Sequence, residues 1–427
     1  MITKEDGLRY AKLVHVSVDN GQTDNSNKVY IMEELSDGTI KCQYGRVGRS
    51  LVVEVKPVSK WDSVLKQKLS KTKGYTDVTE LSAEPVVGTT PVDNKVDNIK
   101  DLSVRKLVHE LMGFANKSIQ QNYKVSQEAV SEQQVNSAQE VITMIISKLA
   151  IDVEIKDVND LLLKLFTIIP RKMDNVRDYL CIAITDNRSL DNAKSVIDNE
   201  QSALDTMAGQ VRLLQQQRAS VEDIDTNTLA ENLNMLDHMG LVIETETNSD
   251  NLSLVTKLMG PNAHQVKAIY KVVNKKTQKV FDDYYSKATN KKRRLYCHGS
   301  RNENWFNILQ TGLMIRPSGA VHTGSMFGDG VYFADKAQKS IGYTSLRGSY
   351  WAKGGDNKAF LALFDVHLGK QKEIMHHNSS CYSLSAKVLE KEGYDSVYAK
   401  GGADLRNNEF IVYNSSQCTI SYLLELN

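Results

Sequence analysis

Residues 295–343 read LYCHGSRNENWFNILQTGLMIRPSGAVHTGSMFGDGVYFADKAQKSIGY, and the fold of the C-terminal half turns on this stretch. A short apolar run, Leu295 to Cys297, leads into His298-Gly299-Ser300. A helix-like segment, Trp305 to Thr311, follows, and Gly328 and Gly330 then bracket a turn before Val331-Tyr332-Phe333. Two glycines and a histidine beside short β-type runs predict backbone brought close to a planar ligand, because glycine carries no side chain to block the approach.

Outward from this stretch, Val266–Val273, Ala359–Leu368, Ser396–Ala399, Glu409–Tyr413 and Thr419–Leu424 are β-rich runs, and Thr226–Met239 reads as a helix. Helices do not alternate regularly with the strands, so residues 219–427 are expected to be α+β with antiparallel sheets. Gly328-Asp329-Gly330 precedes a strand, whereas a dinucleotide fingerprint follows one and opens a helix, which disfavours a Rossmann domain.

Residues 99–218 carry helical periodicity throughout. Ser131-Glu132-Gln133-Gln134 is a capping-box sequence, followed by Val135, Ala138, Val141, Ile142, Ile145, Ile146 and Leu149 on one face. Further stripes run through Leu107–Met112, Leu161–Phe166 (stopped at Pro170) and Leu190–Met207, so an all-α bundle is expected. Residues 81–98, with Pro85, Gly88 and Pro91 among small polar residues, read as a linker. Residues 1–80 read as short strands plus a helix from about Ser59 to Ser70, whose Trp61, Val64, Leu65 and Leu69 are spaced to pack on a small sheet.

The 427 residues exceed one hydrophobic core, and a net charge of +1 with 25% charged residues leaves any nucleic-acid site to local charge. Between Lys41 and Lys73 there is such a local excess, about seven positive charges, although a solvated lysine-rich helix face explains the same residues. The five cysteines are widely spaced with no CxxC pair, which argues against a disulfide framework or zinc finger and for a reducing, intracellular setting. No signal-peptide core and no run of 18 apolar residues is present, so neither secretion nor membrane spanning is expected. His376-His377 has no third ligand at helical spacing and reads as a surface pair, so no metal is expected. Lys291-Lys292-Arg293-Arg294 fits a nuclear signal and equally a charged loop entering a strand.

Taken one at a time, His298, Tyr332, Tyr343 and Glu409 are ordinary residues. Together, His298-Gly299-Ser300, Gly330-Val331-Tyr332-Phe333-Ala334-Asp335, Lys339-Ser340 with Tyr343, and Asn408-Glu409-Phe410-Ile411-Val412-Tyr413 closely resemble the ADP-ribosyltransferase domain of the poly(ADP-ribose) polymerase family, with its His-Tyr-Glu order. Leu163-Lys164-Leu165-Phe166-Thr167-Ile168-Ile169-Pro170 resembles a segment of that family's regulatory helical domain. Tyr44-Gly45-Arg46-Val47-Gly48-Arg49 and Lys71-Thr72-Lys73-Gly74-Tyr75 resemble its WGR domain, with Tyr44 where the signature has tryptophan. Asn407-Asn408 replaces the usual Tyr-Asn pair before the glutamate, and Met314 stands where an arginine is common.

The resemblance implies a multidomain chain: a small, mostly β WGR-like α+β domain (1–80), a linker (81–98), an all-α regulatory bundle acting as a gate (99–218) and an α+β ADP-ribosyltransferase domain (219–427). It implies NAD+ as substrate and no metal. Gly299 and Ser340 would hold the nicotinamide carboxamide, Tyr332 and Tyr343 would sandwich its ring, and His298 and Ser300 would bind the adenosine-side ribose. Glu409 would be the catalytic carboxylate, with Met326 and Lys339 at the acceptor site. Tyr44, Arg46, Arg49, Lys71 and Lys73 would meet DNA strand breaks or RNA, and acceptors would be other proteins and the chain itself. Location would be the nucleus in a eukaryote and otherwise the cytoplasm. A mono-ADP-ribosyltransferase, an enzyme modifying nucleic-acid ends, and a non-catalytic DNA-end-binding protein are the competing expectations.

Overall fold

The computed structural model describes residues 2–3, 7–18, 25–81, 96–123, 130–149, 154–182, 187–222, 234–315 and 326–427. They form two compact units, one drawn mainly from Met1–Thr90 and Ser118–Val211, the other from Pro91–Lys117, Arg212–Ala320 and Gly324–Asn427.

The first unit opens with strands β1 (Ile2–Thr3), β2 (Arg9–Val18), β3 (Asn25–Glu34), β4 (Thr39–Arg46) and β5 (Val52–Pro57), then helix α1 (Trp61–Leu69) and β6 (Thr76–Asp77). The strands pair antiparallel in the order β1-β2-β3-β4-β5, with β6 also on β2. Because strand side chains alternate faces, Ala11, Leu13, Tyr30, Met32, Ile40 and Cys42 share one face, where the fully buried Trp61 of α1 covers them. Val14, Val29, Val47 and Val78 form a second cluster. The helix expected over 59–70 is present, but Leu69 does not join the core: it is 41% exposed in the last turn of α1.

Helices α2 (Leu102–Asn122), α3 (Glu132–Leu149), α4 (Ile155–Ile168) and α5 (Asn187–Glu222) follow, and the division between units falls within α2 and α5. The capping box forms as read: Gln134 N donates to Ser131 Oγ at 3.0 Å, and Ser131 N donates to Gln134 Oε1 at 3.1 Å. The predicted stripe of α3 is buried from Val135 to Ile146, and α4 stops at Ile168, ahead of Pro170. Beyond it, Arg171 and Glu200 form a buried ion pair, with the Arg171 guanidinium 4.7 Å from the Tyr123 ring centroid.

In the second unit lie α6 (Met235–Met239), β7 (Leu241–Thr245), α7 (Ser249–Met259), β8 (Val266–Asn274), α8 (Lys275–Lys287), β9 (Arg293–Gly299), α9 (Trp305–Thr311), β10 (Val331–Phe333), α10 (Ala337–Ile341), β11 (Ala359–His367), β12 (Gln371–Ile374), α11 (Ala386–Glu392), β13 (Ser396–Ala399), β14 (Glu409–Val412) and β15 (Cys418–Leu426). One sheet runs β7-β8-β15-β11-β9, all antiparallel, and the other runs β10-β14-β13-β12. The antiparallel expectation fails at one pair, β12–β13, which is parallel. Central β11 is buried on both faces: Phe360, Ala362 and Phe364 pack on one side, and Leu361 and Leu363 on the other against Val255 and Met259. Of the helix read over Thr226–Met239, Met235–Met239 is present and 226–233 lie outside the described residues.

The core of this unit also takes in residues that precede α6. Val96, Ile99 and the Val104–Ala115 face of α2 belong to the same core as Trp305, Phe306 and Phe360, because the apolar stripe of α2 is buried against the strands of this unit. Residues 96–117 therefore group with the C-terminal half. All five cysteines are free and buried, and no described helix is long and apolar enough to cross a membrane.

Candidate functional site

The two sheets of the second unit meet where Cys297 N donates to Ala334 O and Ala334 N to Cys297 O, at 3.0 and 3.1 Å. This pair of bonds sets His298, at the end of β9, beside Tyr332 of β10. His298 Nδ1 donates to the Tyr332 carbonyl at 3.1 Å, since a carbonyl can only accept. The ring stands edge-on between Phe333 and Phe364 at 5.8 and 5.9 Å. Desolvation there pushes its pKa below the ordinary value, with the Tyr332 bond acting in the opposite sense. The histidine is therefore neutral, protonated on Nδ1, and offers Nε2 as an acceptor for a hydroxyl donor.

Gly299 and Ser340 are brought together: a Cβ on Gly299 would lie 1.9 Å from Ser340 O, so the missing side chain admits the α10 backbone. Gly328 (φ +74°) and Gly330 follow the same logic, with would-be Cβ atoms 2.1 Å from Leu384 O and 2.4 Å from Ile411 Cγ2. The Ser340 hydroxyl donates to Cys297 O at 3.0 Å and keeps its lone pairs for a donor. Ser300 Oγ accepts from Asn304 Nδ2 at 3.1 Å.

Tyr332 is clamped at its hydroxyl, which donates to Gly328 O at 2.8 Å and accepts from Phe327 N at 3.0 Å. Burial raises its pKa well above the ordinary tyrosine value; the Glu409 charge adds to the rise and the Phe327 N–H opposes it. Tyr343 is pushed up to about 12, by burial first and by Glu409 second. Both phenols are thus protonated, and both feel the same carboxylate. Glu409 opens β14 and is 7% exposed. Its Oε1 is in ion contact with Lys339 Nζ of α10, itself largely buried. The preceding Asn408 donates from Nδ2 to Asp335 Oδ2 at 2.8 Å and accepts from Gly401 N at 2.9 Å, which fixes the approach to the strand.

Met326 is half-buried against a small core of Phe327, Leu384, Ile411 and Tyr413. Its carbonyl accepts from His377 Nε2 at 2.8 Å, while His377 N donates to Asp404 Oδ2 at 2.6 Å. The expectation of two surface histidines is corrected at His377, whose ring packs edge-on to Phe327 and Tyr382 because its imidazole caps the Met326 turn. His377 and Trp351, which stacks on Tyr343 with centroids 6.0 Å apart, have no signal in the linear motif. The loop Arg316 to Thr323 lies outside the described residues. No described group of three or more His, Cys, Asp or Glu side chains is placed to hold a metal ion.

In the first unit the five predicted nucleic-acid residues separate. Lys71 and Lys73 are exposed. Arg49 is exposed and paired with Asp174 at 2.9 Å. Arg46 is engaged within the unit: its guanidinium donates to the carbonyls of Met173, Asp174 and Asn25 at 2.6 to 3.2 Å. Asn27 Nδ2 donates to Arg171 O, and Val176 N donates to Asn25 Oδ1, so the 171–176 segment is held by three strand residues. Tyr44 stacks on Tyr30 at 5.3 Å, and Lys68 Nζ sits 3.9 Å over the Tyr30 ring.

Residues 249–427 match the family model of the poly(ADP-ribose) polymerase catalytic domain. The poly [ADP-ribose] polymerase-like protein 100L of Invertebrate iridescent virus 6 is 37% identical over 186 residues, 43% of this chain and 96% of that protein. The uncharacterized protein 101L of the same virus is 30% identical over 215 residues, 50% of this chain and 83% of that protein. Human poly [ADP-ribose] polymerase 2 is 35% identical over 159 residues, 31% of this chain, and the match spans 26% of the human protein.

Proposed function

The chain belongs to the poly(ADP-ribose) polymerase family and is an NAD+ ADP-ribosyltransferase, and from that premise we propose that it builds poly(ADP-ribose) on itself and on other proteins, with DNA strand breaks as the stimulus. In this reading the bond between nicotinamide and ribose breaks, nicotinamide leaves with the bonding pair, and ADP-ribose passes to an acceptor oxygen through an oxocarbenium-like transition state. Gly299 backbone and Ser340 hold the carboxamide, Tyr332 and Tyr343 stack on the ring, and His298 and Ser300 bind the adenosine-side ribose. Glu409 bonds a ribose hydroxyl, stabilises the developing positive charge and polarises the acceptor hydroxyl. Met326 and Lys339 line the acceptor side. Removing about residues 99–218 is expected to raise basal NAD+ turnover without DNA if the helices act as a gate.

The observation that carries this reading is Glu409: a buried carboxylate at the head of β14, beside Lys339, whose charge reaches both Tyr332 and Tyr343. A second observation narrows the stimulus. Arg46 and Tyr44 are already engaged within the first unit, so in this state contact with a phosphate backbone rests on Lys71, Lys73 and the outward part of Arg49.

The test is incubation with labelled NAD+, with and without nicked DNA, followed by gel separation of protein and nucleic acid. A ladder on protein that strengthens with DNA and disappears in Glu409→Gln is the expected result. A single discrete band would replace the reading with mono-ADP-ribosylation, and label on the DNA would make nucleic-acid ends the acceptor. No transfer at all would leave a DNA-end-binding protein.

A further inference from the structure

The Tyr343 ring, which the reading above sets against nicotinamide, already has an aromatic neighbour with its centroid 6.0 Å away. Trp351 lies nearly parallel to it, with planes 18° apart, and Tyr350 meets Trp351 edge-on at 4.7 Å. Trp351 and Tyr350 are 60% and 76% exposed, whereas the other two tryptophans, Trp61 and Trp305, are completely buried. An indole left this open to water gains little from burial, so its placement needs another cause.

That cause is the backbone of the segment after α10. Trp351 N and Ala352 N both donate to Gly342 O, at 2.9 and 3.0 Å. Arg347 N donates to Asp356 O at 2.7 Å and Asp356 N to Ser345 O at 3.0 Å, closing the segment into a strap. Gly354 crosses so close that a Cβ would lie 2.4 Å from Leu346 O, and Lys353 takes φ +48°, a conformation non-glycine residues rarely adopt. Asn302 fastens the strap from the β9 side, donating from N to Ser345 Oγ at 2.9 Å and from Nδ2 to Asp356 Oδ2 at 3.0 Å.

A strap with this much specific bonding and local strain holds an exposed ring beside Tyr343, and we propose that Trp351 is a positioning residue for the nicotinamide-binding stack, fixing the plane of Tyr343 so that its ring receives the nicotinamide ring. The proposal rests on the reading of Tyr343 as a nicotinamide contact. Without the indole, Tyr343 regains torsional freedom that binding must then remove, which weakens NAD+ binding without touching Glu409.

The experiment measures steady-state kinetics and 3-aminobenzamide binding for the full chain, Trp351→Ala and Trp351→Phe, with nicked DNA present throughout. Trp351→Ala is expected to raise KM for NAD+ and weaken benzamide binding roughly fivefold with kcat within about twofold, and Trp351→Phe to restore both. In the full chain, benzamide is expected to change the tryptophan emission, and Trp351→Ala to lose that response. Unchanged KM and benzamide affinity in Trp351→Ala would overturn the inference. So would a fall in kcat matched by a lower melting temperature in both variants, which marks a purely structural role. If the full chain itself shows no saturable response to benzamide or NAD+, the reading of the pocket falls and the inference with it.

Discussion

Lys339 Nζ is in ion contact with Glu409 Oε1, and both side chains are largely withdrawn from water. A buried charge that loses its partner is costly, so the pair constrains what substitution at either end does. Glu409→Gln preserves shape but removes the charge that would face a cationic transition state. Transfer is expected to fall on the order of 10²-fold to 10³-fold while NAD+ affinity changes little. Initial rates with labelled NAD+, alongside equilibrium binding of an unreactive analogue, check this. Chain formation at normal rate in the variant would remove Glu409 from the chemistry.

Gly299→Ala forces a methyl to within 1.9 Å of Ser340 O, a backbone atom that cannot rotate away. The strand and α10 must separate, which is expected to cost about 1–3 kcal/mol of stability and to weaken NAD+ binding. Urea unfolding and NAD+ KM measure the two effects. A variant as stable as the parent would mean that β9 and α10 are not in contact as described.

The pKa of His298 is lowered in the folded protein, chiefly by desolvation. The unfolded chain then takes up a proton near pH 6.5, where the native histidine stays neutral, so unfolded chains bind more protons across the interval below that value. Stability conferred by the neutral ring is full above about pH 6.5, falls as acidity increases and levels off once the native ring is itself protonated. Denaturation curves from about pH 8 to about pH 5 should show this loss, and His298→Gln should flatten that part of the profile. A parent profile no steeper than the variant's would contradict the neutral assignment.

Arg46 donates to three backbone carbonyls, two of them in the 171–176 segment. Arg46→Ala is therefore expected to lower stability by roughly 1.5–3 kcal/mol in protein free of nucleic acid, since charge-assisted bonds to carbonyls are lost. Thermal melting without DNA decides the point. A residue acting only on a phosphate backbone would leave that melting temperature unchanged while weakening DNA binding, as is expected of Lys73→Ala.

Local physics was legible where cause and effect lie within one element. The Ser131–Gln134 box, the α3 stripe and the stop before Pro170 need only residues a few positions apart, and the β11 run announces a buried strand by composition. Gln371–Ile374 did not announce β12, because its polar residues pair through the backbone with Ser396–Ala399 and carry no apolar period. The site divides the same way. His298, Tyr332 and Glu409 could be singled out as a motif, but Lys339 against Glu409, His377 beneath Met326 and Trp351 on Tyr343 depend on which distant element arrives beside them. Periodicity reports which face is buried and is silent about what meets it. The glycines show the limit most plainly: a Cβ would meet protein backbone at Gly299 and Gly328 and the Ile411 side chain at Gly330, neighbours that no local pattern names.

The five free cysteines are all enclosed, and burial pushes the thiols of Cys297 and Cys418 up to about 12 and that of Cys181 to about 11. Thiolate is the species that reacts with maleimides and iodoacetamides, so the folded chain presents almost no background to such reagents. A single cysteine introduced at an exposed position such as Arg347 would then be the sole rapid labelling point. A fluorophore or spin label placed there would sit on the strap that carries Trp351, turning a chemically silent molecule into one whose strap can be watched during turnover.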